Sequence, residues 1–216
     1  MAKKENMKSS SKPRKKSTEV ILQAAEKVFV ERGYGGASMQ AIADEAGLPK
    51  ANIHYYFTSK EKLYSEVLTK IIASWNSVMD SVSVDDDPAK VLEQFIYTKV
   101  ELAYRFPQAS KLFAMEIIQG APHLKDYIRM DMRNWVREKS KVFQTWMDQG
   151  KMKNVDPVHL IFLIWSSTQH YADFETQVLT IMNRAEYEEE DILNSSRFLS
   201  SIILTGVGLK PSHEKL

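Results

Sequence analysis

Lys50, Asn52 and His54 stand two residues apart at the start of a short run that ends at Phe57. Lysine donates to the acceptors on a guanine edge, and asparagine bonds an adenine edge with both ends of its amide. Side chains of these types at an exposed helix start can therefore read bases in a major groove. His54 has the simpler alternative of facing water. A second cluster is Trp165, Ser166, Gln169, His170 and Asp173, in which Trp165, Gln169 and Asp173 recur every four residues and share a helix face. Bond-making chemistry finds no support. There is no cysteine, which excludes a thiolate metal site, a disulfide framework and a cysteine nucleophile. The five histidines (His54, His123, His159, His170, His213) lack ligand spacing. No Gly-rich phosphate loop, Gly-x-Ser-x-Gly elbow or His-Glu-x-x-His occurs either. The expectation is a binding protein and not an enzyme, with no catalytic residues, no metal and no cofactor.

The elements that must hold these side chains are helical. From Ser17 onward Val20, Ile21, Ala24, Ala25, Val28 and Phe29 form one apolar stripe, closed by Gly33. Ser38 offers the N-cap of a second, short helix through Ile42 and Ala46, and Gly47 can take the left-handed conformation of a tight turn. Pro49 suits the first turn of a third helix over residues 50–57, where its missing N–H has no partner to lose. Short helix, glycine turn, short helix is the pattern of a helix-turn-helix. Ser59 then caps a fourth helix whose Leu63, Tyr64, Val67, Leu68, Ile71, Ile72 and Trp75 share an apolar face, so the head is joined directly to whatever follows.

Charge is spread unevenly. Residues 1–16 carry seven Lys or Arg against Glu5 alone, +6 within an overall net charge of +1, and are rich in serine. That composition cannot pack a core and predicts a flexible basic arm, with phosphate as its partner or with solubility as its only role. Residues 17–60 hold five acids and four bases, so the arm is expected to supply much of the attraction to a polyanion. With 44% hydrophobic and 26% charged residues in 216, the chain can bury a core. No stretch approaches the length of a membrane span and no signal peptide opens the chain, which predicts a cytoplasmic protein with no membrane partner.

Gly33-Tyr34, Ser38-Met39, Ile42-Ala43, Ala46-Gly47-Leu48 and the junction Tyr55-Tyr56-Phe57-Thr58-Ser59-Lys60-Glu61-Lys62-Leu63 together resemble the DNA-binding head of the TetR family of bacterial regulators. The resemblance implies an all-α fold, with a three-helix helix-turn-helix domain over residues 17–63 and a helical ligand-binding and dimerisation domain over 64–216. It also implies that Ser38, Gln40, Tyr55, Tyr56 and Lys60 contact phosphates, while Lys50, Asn52 and His54 face the bases. One of the two tyrosines, and Phe57, can equally belong to the core. Many members place Ser or Thr where Pro49 stands, which removes one hydroxyl contact here.

Residues 64–216 read as helical throughout, with breaks at Asp85-Asp86-Asp87-Pro88, Phe106-Pro107, Gly120-Ala121-Pro122, Gly150 and Asp156-Pro157. Residues 160–165 are apolar all round and predict enclosure by a second copy. A tail helix near 189–207 is expected to bury Ile192, Leu199, Ile202 and Ile203, with Ser195, Ser196, Ser200 and Ser201 admitting the twin's backbone. Two heads on one two-fold axis would address a palindromic operator in double-stranded DNA. Pro107-Gln108-Ala109-Ser110, Met115-Glu116, Gly120-Ala121-Pro122 and Trp165-x-Ser-Thr-Gln-His-Tyr-Ala-Asp-Phe174 are similar to the RutR group of pyrimidine-utilisation regulators. That similarity implies that Trp75, Trp165 and Gln169 hold uracil: indole faces cover a flat ring and the amide offers one donor and one acceptor. The plain alternatives are core packing for the tryptophans and a helix cross-link for Gln169. A regulator of another pathway, taking an apolar or cationic ligand, is the rival reading, and a helical scaffold for protein partners is a further one.

Overall fold

The computed structural model describes residues 11–211, and among them every regular element is a helix. The head consists of α1 (Ser11–Gly36), α2 (Met39–Ala46) and α3 (Lys50–Tyr56), and α4 (Lys60–Asn76) leads out of it. The body adds α5 (Pro88–Arg105), α6 (Pro107–Ile118), the single turn α7 (Lys125–Tyr127), a π-helical turn (Ile128–Met132), α8 (Arg133–Asp148), α9 (Pro157–Asp173), α10 (Glu175–Met182) and α11 (Glu189–Gly206).

Local chemistry accounts for most of the helix ends. Ser38 and Ser59 each accept an N–H of the turn they cap, from Ala41 and Lys62, both at 3.1 Å. Asp87 and Asp156 do the same ahead of the prolines that open α5 and α9. Gly47 closes α2 at φ 63 and Gly33 breaks α1 at φ 66, both in the left-handed region where a side chain would be strained.

Several expectations are modified. The first helix begins at Ser11 and not at Ser17, so six of the sixteen residues read as arm are helical; lysine and arginine are good helix formers, and Pro13 lies within the first turn where it is tolerated. Residues 1–10, the rest of that arm, lie outside the described residues. Pro49, at φ −56 and ψ 139, sits just before the first residue of α3 and not inside it. Val20 and Ile202, both assigned to buried stripes, face outward at 38% and 61% exposure. Within α11, Ser196 and Ser200 are buried inside this chain, and the helix packs most extensively on α5.

Two apolar clusters organise the molecule. One joins Ile21, Phe29, Ile42 and Ile53 of the head to Leu63, Leu68 and Trp75 of α4, and continues into Ala109, Leu112 and Leu124. Head and body therefore share a core across α4. The other, around Phe95, Phe143, Trp146, Ile161 and Ile203, lies wholly in the body. Among the described residues no helix is long and apolar enough to cross a membrane, and no group of side chains could hold a metal ion.

Candidate functional site

The head turns one face of α3 outward. Ile53 is fully buried and Phe57 nearly so, which fixes the helix and leaves Lys50, Asn52 and His54 exposed on its outer side. Tyr55 projects at 72% exposure, its ring perpendicular to that of Tyr56 at 5.1 Å; Tyr56 is half-buried against the head core. Of the two tyrosines, Tyr56 is the one that takes part in packing. Ser38 is occupied as acceptor by its cap but keeps its O–H, and Gln40 donates to Asp44 Oδ1 at 2.8 Å on the surface. Lys60 is half-buried and engaged. Its Nζ donates to the carbonyls of Tyr34 and Ala37 at 2.8 and 3.0 Å and lies 4.3 Å from the Tyr34 ring centroid, so it ties the start of α4 to the turn after Gly33.

A second junction joins that turn to the body. His123, in the segment after α6, packs its ring at a tilt 4.1 Å from Tyr34 and edge-on 5.2 Å from Tyr64 of α4. Glu116, 3% exposed, holds it: Oε1 accepts the His123 backbone N–H at 2.6 Å and Oε2 lies 3.1 Å from Nδ1. Ser65 Oγ donates to the His123 carbonyl at 2.6 Å. Burial, reinforced by the nearby Glu116 carboxylate, pushes the Tyr64 hydroxyl up to about 12, so it stays protonated.

The three side chains expected around a ligand stand on two helices, Trp75 on α4 and Trp165 and Gln169 on α9. Trp75, at the end of α4, is buried edge-on against Phe113 at 5.2 Å, while Trp165 on α9 packs on Trp135 at 5.8 Å. The two tryptophans belong to different apolar clusters. Trp165 lines a cavity of about 750 Å³ between α8 and the start of α9, floored by Met132, Val136 and Phe162. Its indole N–H is buried with no hydrogen-bond partner among the described residues, as is that of Trp135. Gln169, half-buried, follows one turn later, and Asp173 one turn further accepts from Ser110 Oγ at 2.6 Å.

Residues 21–67 match the model of bacterial regulatory proteins, tetR family, and residues 68–210 match that of YcdC-like protein, C-terminal region. The chain is 38% identical over 187 residues to the HTH-type transcriptional regulator RutR of Escherichia coli K12, covering 87% of this chain and 88% of that one. The chain belongs to the TetR family. It is accordingly a DNA-binding transcriptional regulator with a helical ligand-binding domain, related to regulators and not to enzymes. Solved TetR-type folds agree with its architecture. FadR of Bacillus subtilis, in complex with stearoyl-CoA, matches at TM-score 0.64 and 17% identity over 88% of this chain and 98% of its own. AibR, in complex with isovaleryl coenzyme A and operator DNA, matches at 0.62 and 18% over 86% and 97%.

Within this TetR-type body, motif and spacing assigned no role to Lys99, Ser110, Glu116 or His123, although Ser110 and Glu116 fall in segments that carry the resemblance. For Lys99 a signal existed: it falls on the stripe Leu92, Phe95, Ile96, Val100 and Ala103, all buried, so helical spacing alone puts an ammonium in the core. Glu116 and His123 pair across a turn that periodicity does not describe.

Proposed function

We propose that the chain is a homodimeric repressor whose hold on a palindromic operator is modulated by a small planar effector of the uracil type. The observation that carries this reading is that the likeness to RutR extends through the body, where effectors are chosen, as well as through the head. Trp75, Trp165 and Gln169 supply ring faces and an amide edge suited to a pyrimidinedione, and the unpartnered Trp165 indole N–H favours a ligand with an acceptor. Lys50, Asn52 and His54 read bases, and Ser38, Gln40, Tyr55, Tyr56 and the remaining donor of Lys60 set the register on phosphates. Phe162 and Leu163 of α9, with Phe198 and Ile202 of α11, form an outward apolar face between 48% and 61% exposed that suits a second copy. Such a regulator acts in the cytoplasm, where its operator is.

Effector binding is expected to favour a body conformation in which α4 shifts and the heads no longer match the operator spacing. Linkage then requires the operator to weaken effector binding by the same factor, typically about 5- to 150-fold. Selection of genomic fragments by the purified chain, with and without uracil, tests the reading. Enrichment of one palindrome that uracil abolishes supports it; enrichment indifferent to uracil, thymine and their relatives sinks the effector half. The 750 Å³ cavity, with its apolar floor, favours a second reading in which the ligand is apolar, and a thermal-shift series including lipophilic compounds separates the two.

A further inference from the structure

Lys99 is 3% exposed, with its Nζ 5.0 Å from the Trp75 ring centroid and 5.9 Å from that of Phe95. Withdrawing an ammonium from water is costly unless hydrogen bonds and a charge partner compensate, and aromatic faces meet only part of that need. Asp173 is the carboxylate whose field reaches it, yet the two do not close into an ion pair. The Asp173 Oδ1 is held instead by Ser110 Oγ at 2.6 Å. Both groups register their removal from water: burial pulls the Lys99 ammonium down to about 7 and raises the Asp173 carboxyl. Lys99 comes from α5, which packs against both α4 and α9, and it is near Trp75 of the first and within the field of Asp173 on the second.

We infer that Lys99 and Asp173 are the polar jaws of the effector site, Lys99 donating to a ring carbonyl oxygen and Asp173 accepting an adjacent ring N–H. Trp75 covers the ring face. The assignment rests on the pyrimidinedione reading above and narrows it. A cationic ligand would meet a buried ammonium, and a carboxylate would meet Asp173. A neutral heterocycle with a carbonyl beside an N–H satisfies both groups at once, and each has acceptor or donor capacity to spare. It also brings Lys99 a neutral acceptor beyond the aromatic faces it now meets, and adds a second donor to the one Asp173 already has in Ser110.

Isothermal titration of the full chain with uracil and with 1,3-dimethyluracil, which has no N–H, tests the assignment. The wild type should bind uracil and reject the dimethyl compound. Lys99→Met should weaken uracil on the order of 10- to 100-fold while keeping the helical circular-dichroism spectrum, since an apolar chain of similar length suits the site. Should that variant misfold, Lys99→Gln, which keeps a donor without the charge, should give an intermediate affinity. Asp173→Asn should lose the preference for uracil over its dimethyl analogue, a change that a merely structural role would not produce. Undiminished uracil affinity in both Lys99 variants, with Trp75→Ala defective, overturns the jaws and leaves the pyrimidine reading standing. A wild type that binds no pyrimidinedione overturns both.

Discussion

The His123 imidazole lies 4.1 Å, centroid to centroid, from the Tyr34 ring, so the body reaches the head through an aromatic contact at the turn where Gly33 interrupts α1. Lys60 bonds to the same turn from α4, and the buried Glu116 fixes His123 from α6. Three helices thus meet at one point between the two functions. His123→Ala should leave uracil affinity near the wild-type value but shrink the ratio of operator affinities measured without and with uracil, read by fluorescence anisotropy. Its stability should fall by about 1–3 kcal/mol, because the Glu116 carboxylate loses a buried partner. A full-sized ratio in the variant would show that coupling takes another route.

Lys50 and Lys60 should separate cleanly when mutated. Lys50→Ala and Asn52→Ala are each expected to cost about 1–3 kcal/mol of specific operator binding, relaxing preference at one base position while leaving Tm alone. Lys60→Met should lower Tm as well, since its Nζ holds the Tyr34 and Ala37 carbonyls. Competition against random duplex, paired with thermal melts, distinguishes the two outcomes.

Because α1 already starts at Ser11, the informative truncation removes residues 1–10 and spares the helix. If the basic arm meets phosphates, the slope of log affinity against log salt should flatten by roughly 0.9 for each phosphate that the shortened chain leaves to its counterions. An unchanged slope restricts the arm to a solubility role.

Lys99 makes stability depend on pH. Its folded pKa of about 7 lies below the unfolded value, so between about pH 7 and pH 10 the unfolded chain holds a proton that the folded chain lacks. Stability from this group therefore rises with pH across that window, and below it the full cost of the buried charge is felt. Relative to Lys99→Met, the wild type should gain on the order of 2 kcal/mol between pH 7 and pH 9, measured by urea unfolding. A difference that stays flat with pH would mean that the ammonium is better solvated than its 3% exposure implies.

Phe162→Glu combined with Ile202→Glu should yield a helical monomer by sedimentation, because both side chains point away from this chain's own core. Operator affinity should drop steeply in that monomer, since two half-sites bound independently lose the gain of tethering.

What the sequence made legible was whatever is decided locally. The serine caps, the breaks at Gly33 and Gly47 and the proline-opened helices follow from a few neighbouring residues, and so does the outward face of α3. The paired contacts were not legible in the same way. Nothing in the spacing says that Tyr104 will share a 2.7 Å hydrogen bond with Ser195, or that His123 will lie against Tyr34, because those pairings depend on how helices cross. Ile202 illustrates the limit differently: helical periodicity identifies it as apolar, but whether an apolar side chain turns to its own core or outward is settled only by the packing of α11 on α5. Lys99 was readable in principle, since its place on the α5 stripe follows from the same periodicity that located the core.

The seventeen residues of α4 form a rod about 25 Å long, with Trp75 near one end and Lys60 at the other. A tilt of about 5° at the tryptophan end would carry the far tip through roughly 2 Å over that length. If the proposed effector seats at Trp75, a small adjustment beside it would reach the head as a misfit that a DNA groove can feel.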